Sequence, residues 1–328
     1  MTGGLAIIGA GSWGTALSIV LAPRFESIRL WVYEADLAER MRVSHANDVY
    51  LPGFQVPANV EITSELPNAL KDARVILSVV PSHLVRGVYE KMRQHLAEEA
   101  VFVSATKGLE SGTLLRMSEI IGSMVPHVAV ISGPSFAREV AELQPTAIVV
   151  ASTDAGVAAY IQETFSGPTF RLYTSSDPIG VEIGGSIKNV VAIGAGVLHG
   201  MGLGHNAMAA LITRGLAEMT RLAVAMGGKP LTLSGLAGLG DLVLTCNGDL
   251  SRNRMVGVEL AKGKRLDEIV GGMKMVAEGI KTTDAAMDLA RRYSVEMPIT
   301  FHMHQVLHEG LAPREAIRRL MERSLKGE

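Results

Sequence analysis

One lysine stands alone in an oily stretch of this chain. Between Glu182 and Arg214, Lys188 is the only formally charged residue, set in Gly184-Gly185-Ser186-Ile187-Lys188-Asn189-Val190-Val191. An ammonium in such company costs desolvation energy unless it has a partner or a weakened hold on its proton. That suits a general acid/base, whose pKa must lie well below the ~10.4 of ordinary lysine. The bland alternative is a lysine at a helix edge that stretches its amine to water. Further on, Gly238-Leu239-Gly240-Asp241 and Ser251-Arg252-Asn253-Arg254 offer an acid, two guanidinium groups and short hydrogen-bonding side chains. Arg reads phosphate bidentately, and Ser or Asn completes the oxygen shell. Asp241 is suited to orient Lys188 or to bind a substrate hydroxyl, while Ser251 also reads as an ordinary helix cap.

The N-terminus carries Gly9-Ala10-Gly11-Ser12-Trp13-Gly14 directly after the apolar run Leu5–Ile8, with Glu34 twenty residues beyond Gly14. A strand before, a helix after and an acid at that distance make a dinucleotide fingerprint. Gly9 permits the tight turn, Gly11 lets backbone approach a pyrophosphate, and Gly14 lets helix and strand pack closely. Helix-end N–H groups would hold the phosphates. Glu34 is suited to a ribose diol and repels a 2′-phosphate, which tilts the reading towards NAD; Arg40 or Arg42 swinging over would offset this. Lys107, in Thr106-Lys107-Gly108, and Gly133-Pro134-Ser135 each follow an apolar run, where ligands of open α/β sheets bind; a solvated loop lysine and a plain turn are the alternatives. His302, His304 and His308 include an i,i+4 pair without a carboxylate-rich cluster, so a helix face is expected rather than a metal site. Cys246 is not expected to be a nucleophile.

Short apolar runs at Leu5–Ile8, Ile28–Val32, Val75–Val79, Val101–Ser104, Val128–Ile131 and Ala147–Val150 read as strands, and Phe170–Tyr173 as one last strand before the polar turn Thr174-Ser175-Ser176-Asp177-Pro178. Unbroken apolar runs mark strands buried on both faces of a parallel sheet. Helical stretches such as Asp36–His45 and Ser82–His95 supply the crossovers. From Gly184 onward a helical stripe through Ile187, Val190, Val191, Gly194, Val197 and Leu198 takes over, followed by helices at Asn206–Met226, Asp267–Val270, Thr282–Tyr293 and Pro313–Ser324. Gly227–Gly240 reads as a tight interhelical loop. The expected fold is α/β: an N-terminal Rossmann-type, doubly wound, mostly parallel sheet over residues 1–180, then an all-α substrate-binding and catalytic domain over residues 181–328. The chain's 328 residues fit about two domains at about 150 residues each. With 31 basic and 33 acidic side chains there is no cationic excess for nucleic acid. A hydrophobic share of 48% excludes disorder, and a single cysteine excludes a disulfide framework. Leu5–Ala22 and Asn189–Gly204 are apolar, but glycines interrupt them and no basic segment precedes the first. Both are expected to be buried, in a cytoplasmic protein without membrane insertion.

Seven blocks occur in one order along the chain: Gly9-Ala10-Gly11-Ser12-Trp13-Gly14, Thr106-Lys107-Gly108, Ser132-Gly133-Pro134-Ser135-Phe136-Ala137, Gly184-Gly185-Ser186-Ile187-Lys188-Asn189, Gly240-Asp241-Leu242, Ser251-Arg252-Asn253 and Val276-Ala277-Glu278-Gly279. In this the chain resembles the bacterial NAD(P)-dependent glycerol-3-phosphate dehydrogenase family over essentially its whole length. The resemblance implies interconversion of sn-glycerol 3-phosphate and dihydroxyacetone phosphate, supplying glycerophospholipid synthesis, with Lys188 as proton acceptor. It implies substrate contacts at Lys107, Gly133, Ser135, Lys188, Asp241, Ser251, Arg252 and Asn253. Positions for NAD+/NADH or NADP+/NADPH are Ser12, Trp13, Tyr33, Tyr50, Lys107, Ala137, Arg252, Val276 and Glu278, beside Gly9, Gly11 and Gly14. No metal is expected, and a homodimer is left open. Many relatives carry a basic residue at or next to Tyr33, where NADPH would need it; Tyr33-Glu34 departs from that. The competing readings are a related dehydrogenase acting on a hydroxy acid and a dinucleotide-binding redox sensor without turnover.

Overall fold

The computed structural model describes residues 4–273, 277–325 and 327. The chain packs as two compact units, one formed by residues up to Lys107 together with Leu115–Glu182, the other by Gly108–Leu114 together with Ile183 onward.

The first unit holds strands β1 (Gly4–Ile8), β2 (Ile28–Trp31), β3 (Ala46–Asn47), β4 (Leu51–Gln55), β5 (Val60–Thr63), β6 (Ala73–Ser78), β7 (Val101–Ser104), β8 (Val128–Ser132), β9 (Thr146–Ala151) and β10 (Phe170–Ser175). Eight of these form one sheet in the order β10-β9-β8-β7-β6-β1-β2-β5. Pairing is parallel from β5 through β8, reverses between β8 and β9, and is parallel again between β9 and β10. The unbroken apolar runs follow from the pleat. Leu5 and Ile7 enter one buried cluster with Leu17 and Ile28, while Ala6 and Ile8 enter another with Ile76 and Phe102. Strand side chains alternate between faces, so a strand covered on both sides needs an apolar residue at every position.

Edge strand β10 escapes that pattern, with Arg171 and Tyr173 exposed, and so do β5 and the β3–β4 hairpin. β5 is an edge strand whose Glu61 faces out and pairs with Arg29 at 3.2 Å, so its four residues alternate instead of running apolar. β3 and β4 make a small antiparallel hairpin beside the main sheet.

The helix Pro178–Gly200 begins six residues before the stripe visible from Gly184. The Asp177 carboxylate accepts from the Gly180 N–H at 2.9 Å and caps it, and Pro178 sits in the first turn, where its missing N–H costs nothing. By length and composition this helix could cross a membrane, but its most apolar 18-residue window is wholly buried inside the protein. The other apolar stretch, from Leu5, is divided between β1 and the helix Ser12–Leu21. The expected loop Gly227–Gly240 is corrected: it contains a short helix, Pro230–Leu233, and a π-helical turn, Leu236–Gly240, that feeds straight into the helix Asp241–Asn247. The Gly240 N–H bonds the Gly235 carbonyl at 3.1 Å, the wider i→i+5 closure.

Helix Pro178–Gly200 also crosses the helix Arg252–Ala261 main chain to main chain. A Cβ on Gly196 would lie 1.9 Å from the Arg254 carbonyl oxygen, and one on Gly257 would lie 1.9 Å from that of Ile193. Asn189 meets Asn253 on one side of the crossing and Gly200 meets Ala261 on the other, so the two helices run in the same sense. Lys188 and Arg252 therefore lie towards the same ends. Gly257→Ala should force these helices apart and destabilise the chain by about 1–3 kcal/mol, the usual cost of overpacking; urea unfolding of the full chain measures it.

Candidate active site

Lys188 sits mid-way along its helix and is 5% exposed. Its amine does not reach for water. Nζ donates to Asp241 Oδ1 and, at 2.8 Å, to Thr245 Oγ1. Asp241 is 1% exposed and opens the helix Asp241–Asn247, and Thr245 lies one turn further along the same face. The Thr245 hydroxyl donates its own proton to the Asp241 carbonyl at 2.6 Å. A hydroxyl has one proton to give, so its lone pairs face the amine and the amine must be the donor. Two neighbours thus set the direction in which the Lys188 N–H groups point. Cys246, next to Thr245, is buried, and burial pushes its thiol up to about 12. It is protonated at neutral pH.

Around this cluster the Ser-Arg-Asn segment divides its labour. Ser251 is the N-cap of the helix Arg252–Ala261, its Oγ accepting from the Arg254 N–H at 3.2 Å. Asn253 uses both ends of its amide: Nδ2 donates to Asn189 Oδ1 and Oδ1 accepts from the Gly279 N–H, each at 2.9 Å. It ties the neighbour of Lys188 to the start of the helix Glu278–Arg292. Arg252 opens its helix, and burial lowers the guanidinium pKa while the nearby Glu278 carboxylate opposes that. Arg254 reaches Asp249 at 2.8 Å.

In the first unit, Gly9 has φ +114°, and a Cβ on Gly14 would lie 1.9 Å from the Gly9 carbonyl oxygen, so turn and helix close on each other only without side chains there. Gly11 has open space around it, and no side chain caps the helix Ser12–Leu21 that starts beside it. Uncapped N–H groups next to an open glycine fit a dinucleotide pyrophosphate. Ser12 opens the helix, and Trp13 packs partly buried on the core. Lys107 Nζ and Ser135 Oγ both donate to the Gly133 carbonyl, at 3.2 and 3.0 Å, and Ala137 starts a short helix just beyond. Tyr33 is 70% exposed with its ring edge against Trp31. Tyr50 is part-buried, and its hydroxyl donates to Glu34 at 2.7 Å. Val276 lies outside the described residues.

Comparison with known proteins gives the family. A family model described as the NAD-dependent glycerol-3-phosphate dehydrogenase N-terminus matches residues 4–158, and its C-terminus counterpart matches residues 177–318. The chain belongs to this family. It is 54% identical over 326 residues to the glycerol-3-phosphate dehydrogenase [NAD(P)+] of Koribacter versatilis, covering 97% of each chain. Its identity to the protein of that name from Geobacter sulfurreducens is 50% over 329 residues, covering 99% of this chain and 98% of the other. The crystal structure of glycerol-3-phosphate dehydrogenase from Coxiella burnetii superposes with a TM-score of 0.93 at 43% identity, covering 98% of this chain and 99% of that one. This NAD(P)-dependent dehydrogenase family accounts for the Rossmann-type sheet followed by a helical region.

Among the described residues no group of three or more His, Cys, Asp or Glu is arranged to hold a metal ion. His302, His304 and His308 lie on the helix Pro298–His308; a His302 ring nitrogen contacts the Pro298 carbonyl, and the other two rings pair with Asp284. Sequence reasoning missed Thr245 and Asn189 as partners in the lysine cluster. The i+4 spacing from Asp241 to Thr245 was a usable signal; the Asn189–Asn253 contact joins positions 64 residues apart and left none. Removing one member of a buried ion pair strands the other's charge. Lys188→Met should therefore cost about 3–5 kcal/mol of stability, and adding Asp241→Leu should restore much of it; a double-mutant cycle in urea measures both.

Proposed function

We propose that this chain interconverts sn-glycerol 3-phosphate and dihydroxyacetone phosphate. The observation that carries the reading is the buried, hydrogen-bonded Lys188–Asp241–Thr245 cluster, one residue from the Asn189–Asn253 bond to the start of the Arg252 helix. A bound nicotinamide dinucleotide supplies or accepts the hydride. Lys188 Nζ takes the C2 hydroxyl proton in oxidation and donates one to the ketone oxygen in reduction, where it stabilises developing alkoxide charge. Asp241 and Thr245 hold the amine in the geometry that transfer needs. Arg252, at the opening of its helix with Ser251 and Asn253 beside it, grips the substrate phosphate, a remote handle whose binding energy positions C2. Lys107, Gly133 and Ser135 are the further substrate contacts. Gly9, Gly11, Ser12, Trp13, Gly14, Tyr33, Tyr50, Lys107, Ala137, Arg252, Val276 and Glu278 serve the dinucleotide.

The same reading places the enzyme in the cytoplasm, supplying glycerophospholipid synthesis, with small molecules rather than nucleic acid or membrane as partners. It leaves the choice between monomer and homodimer open, and light scattering of the full chain decides it. The primary test follows absorbance at the reduced-nicotinamide band with dihydroxyacetone phosphate; no turnover with either NADH or NADPH would refute the activity. Lys188→Ala should lower kcat by at least ~10²-fold, as expected for a lost general acid/base, while dinucleotide binding stays within about twofold. Arg252→Ala should weaken the phosphorylated substrate selectively; equal losses for glycerol and glycerol 3-phosphate would count against its role.

A further inference from the structure

The stretch after β2 is acidic. Residues 33–50 hold Glu34, Asp36, Glu39 and Asp48 against two arginines, Arg40 and Arg42. Both arginines are committed. Arg40 contacts Asp36 at 2.9 Å and Asp48 at 3.3 Å. Arg42 pairs with Glu39 and donates to the Ile62 carbonyl at 3.1 Å. A 2′-phosphate arriving beside Glu34 would have to draw one of them from carboxylates already bound.

Glu34 itself is braced from the glycine-rich turn. Asn47 is fully buried, and its Nδ2 donates to the Ala10 carbonyl at 2.8 Å and to Thr15 Oγ1 at 2.9 Å. Its Oδ1 accepts the Tyr50 N–H at 2.9 Å, and the Tyr50 hydroxyl donates to Glu34 Oε1 at 2.7 Å. One amide thus links the turn that meets the pyrophosphate to the carboxylate at the end of β2. A tyrosine hydroxyl has a single proton, so the bond to Glu34 uses its only donor and leaves the second carboxylate oxygen as acceptor.

We propose that Asn47 and Tyr50 hold the Glu34 carboxylate in place to select the dinucleotide whose adenosine ribose keeps a free 2′-hydroxyl, making this chain an NAD-preferring member of its NAD(P) family. The proposal rests on the dehydrogenase reading for the cofactor, not for the substrate. An ionised carboxylate accepts from a diol, but it repels a phosphate dianion and offers it no donor. Asn47 is a positioning residue that acts through Tyr50 and Glu34, and Tyr50, besides its own place among the dinucleotide positions, holds Glu34 through its hydroxyl.

The test is fluorescence titration of the full chain with NADH and with NADPH, alongside kcat/KM for each in dihydroxyacetone phosphate reduction. The wild type should bind NADH at least ~10-fold more tightly than NADPH, a difference of about 1.4 kcal/mol. Glu34→Gln should reduce that ratio about tenfold, chiefly by improving NADPH. Tyr50→Phe keeps the ring and frees the carboxylate, so it should narrow the ratio several-fold, a readout that general loosening of the fold would not move. Equal affinities in the wild type, a preference for NADPH, or a ratio unchanged in either variant would overturn the proposal. A clear NADH preference in binding without turnover of dihydroxyacetone phosphate would uphold it while refuting the substrate assignment.

Discussion

Taking an ammonium and a carboxylate out of water costs several kcal/mol per ion even after relaxation, and their attraction repays it only when geometry and extra hydrogen bonds are good. The Lys188–Asp241 contact meets that condition through Thr245, which accepts from the amine and donates to the Asp241 main chain. Much of the second unit follows from this. The π-helical turn Leu236–Gly240 delivers Asp241 at the head of its helix, and the long buried helix keeps Lys188 among apolar neighbours at 5% exposure. A site of this kind is dear in stability and useful in chemistry, since an amine held by fixed dipoles needs little reorganisation when its proton moves.

The sheet was legible because its physics is local. A strand covered on both faces must be apolar at consecutive positions, and the six runs from Leu5 to Val150 are strands of the main sheet; Phe170–Tyr173, with Arg171 and Tyr173 exposed, is an edge strand that alternates instead. β5 was not picked out because Val60-Glu61-Ile62-Thr63 holds no apolar run and its alternation spans only four residues. The start of the helix at Pro178 was hidden for another reason. Proline and a run of small polar residues look like a turn, and only the Asp177 carboxylate on the Gly180 N–H turns that run into a cap.

The lysine cluster was half legible. Isolation among apolar residues singled out Lys188 and therefore demanded a partner, and Asp241 was the suitable acid. Its Thr245 contact depends on which helix face meets which, and the Asn189–Asn253 bond on where two distant helices cross, neither of which a linear pattern encodes. Ser251 shows how one residue satisfies two readings. It is a helix cap by geometry, and the same cap fixes the first turn from which Arg252 projects. The brace from Asn47 to Glu34 was invisible for a similar reason, since its links to the glycine-rich turn and to Glu34 join positions 16 to 37 residues apart.

The glycine contact between the helices carrying Lys188 and Arg252 has a wider meaning. Where two helices touch through backbone atoms, no rotamer intervenes to stretch or shrink the gap between their axes. The spacing of Lys188 and Arg252 then behaves as a covalent ruler rather than a packing average. Neighbouring apolar side chains can be exchanged for others of similar volume without rescaling it.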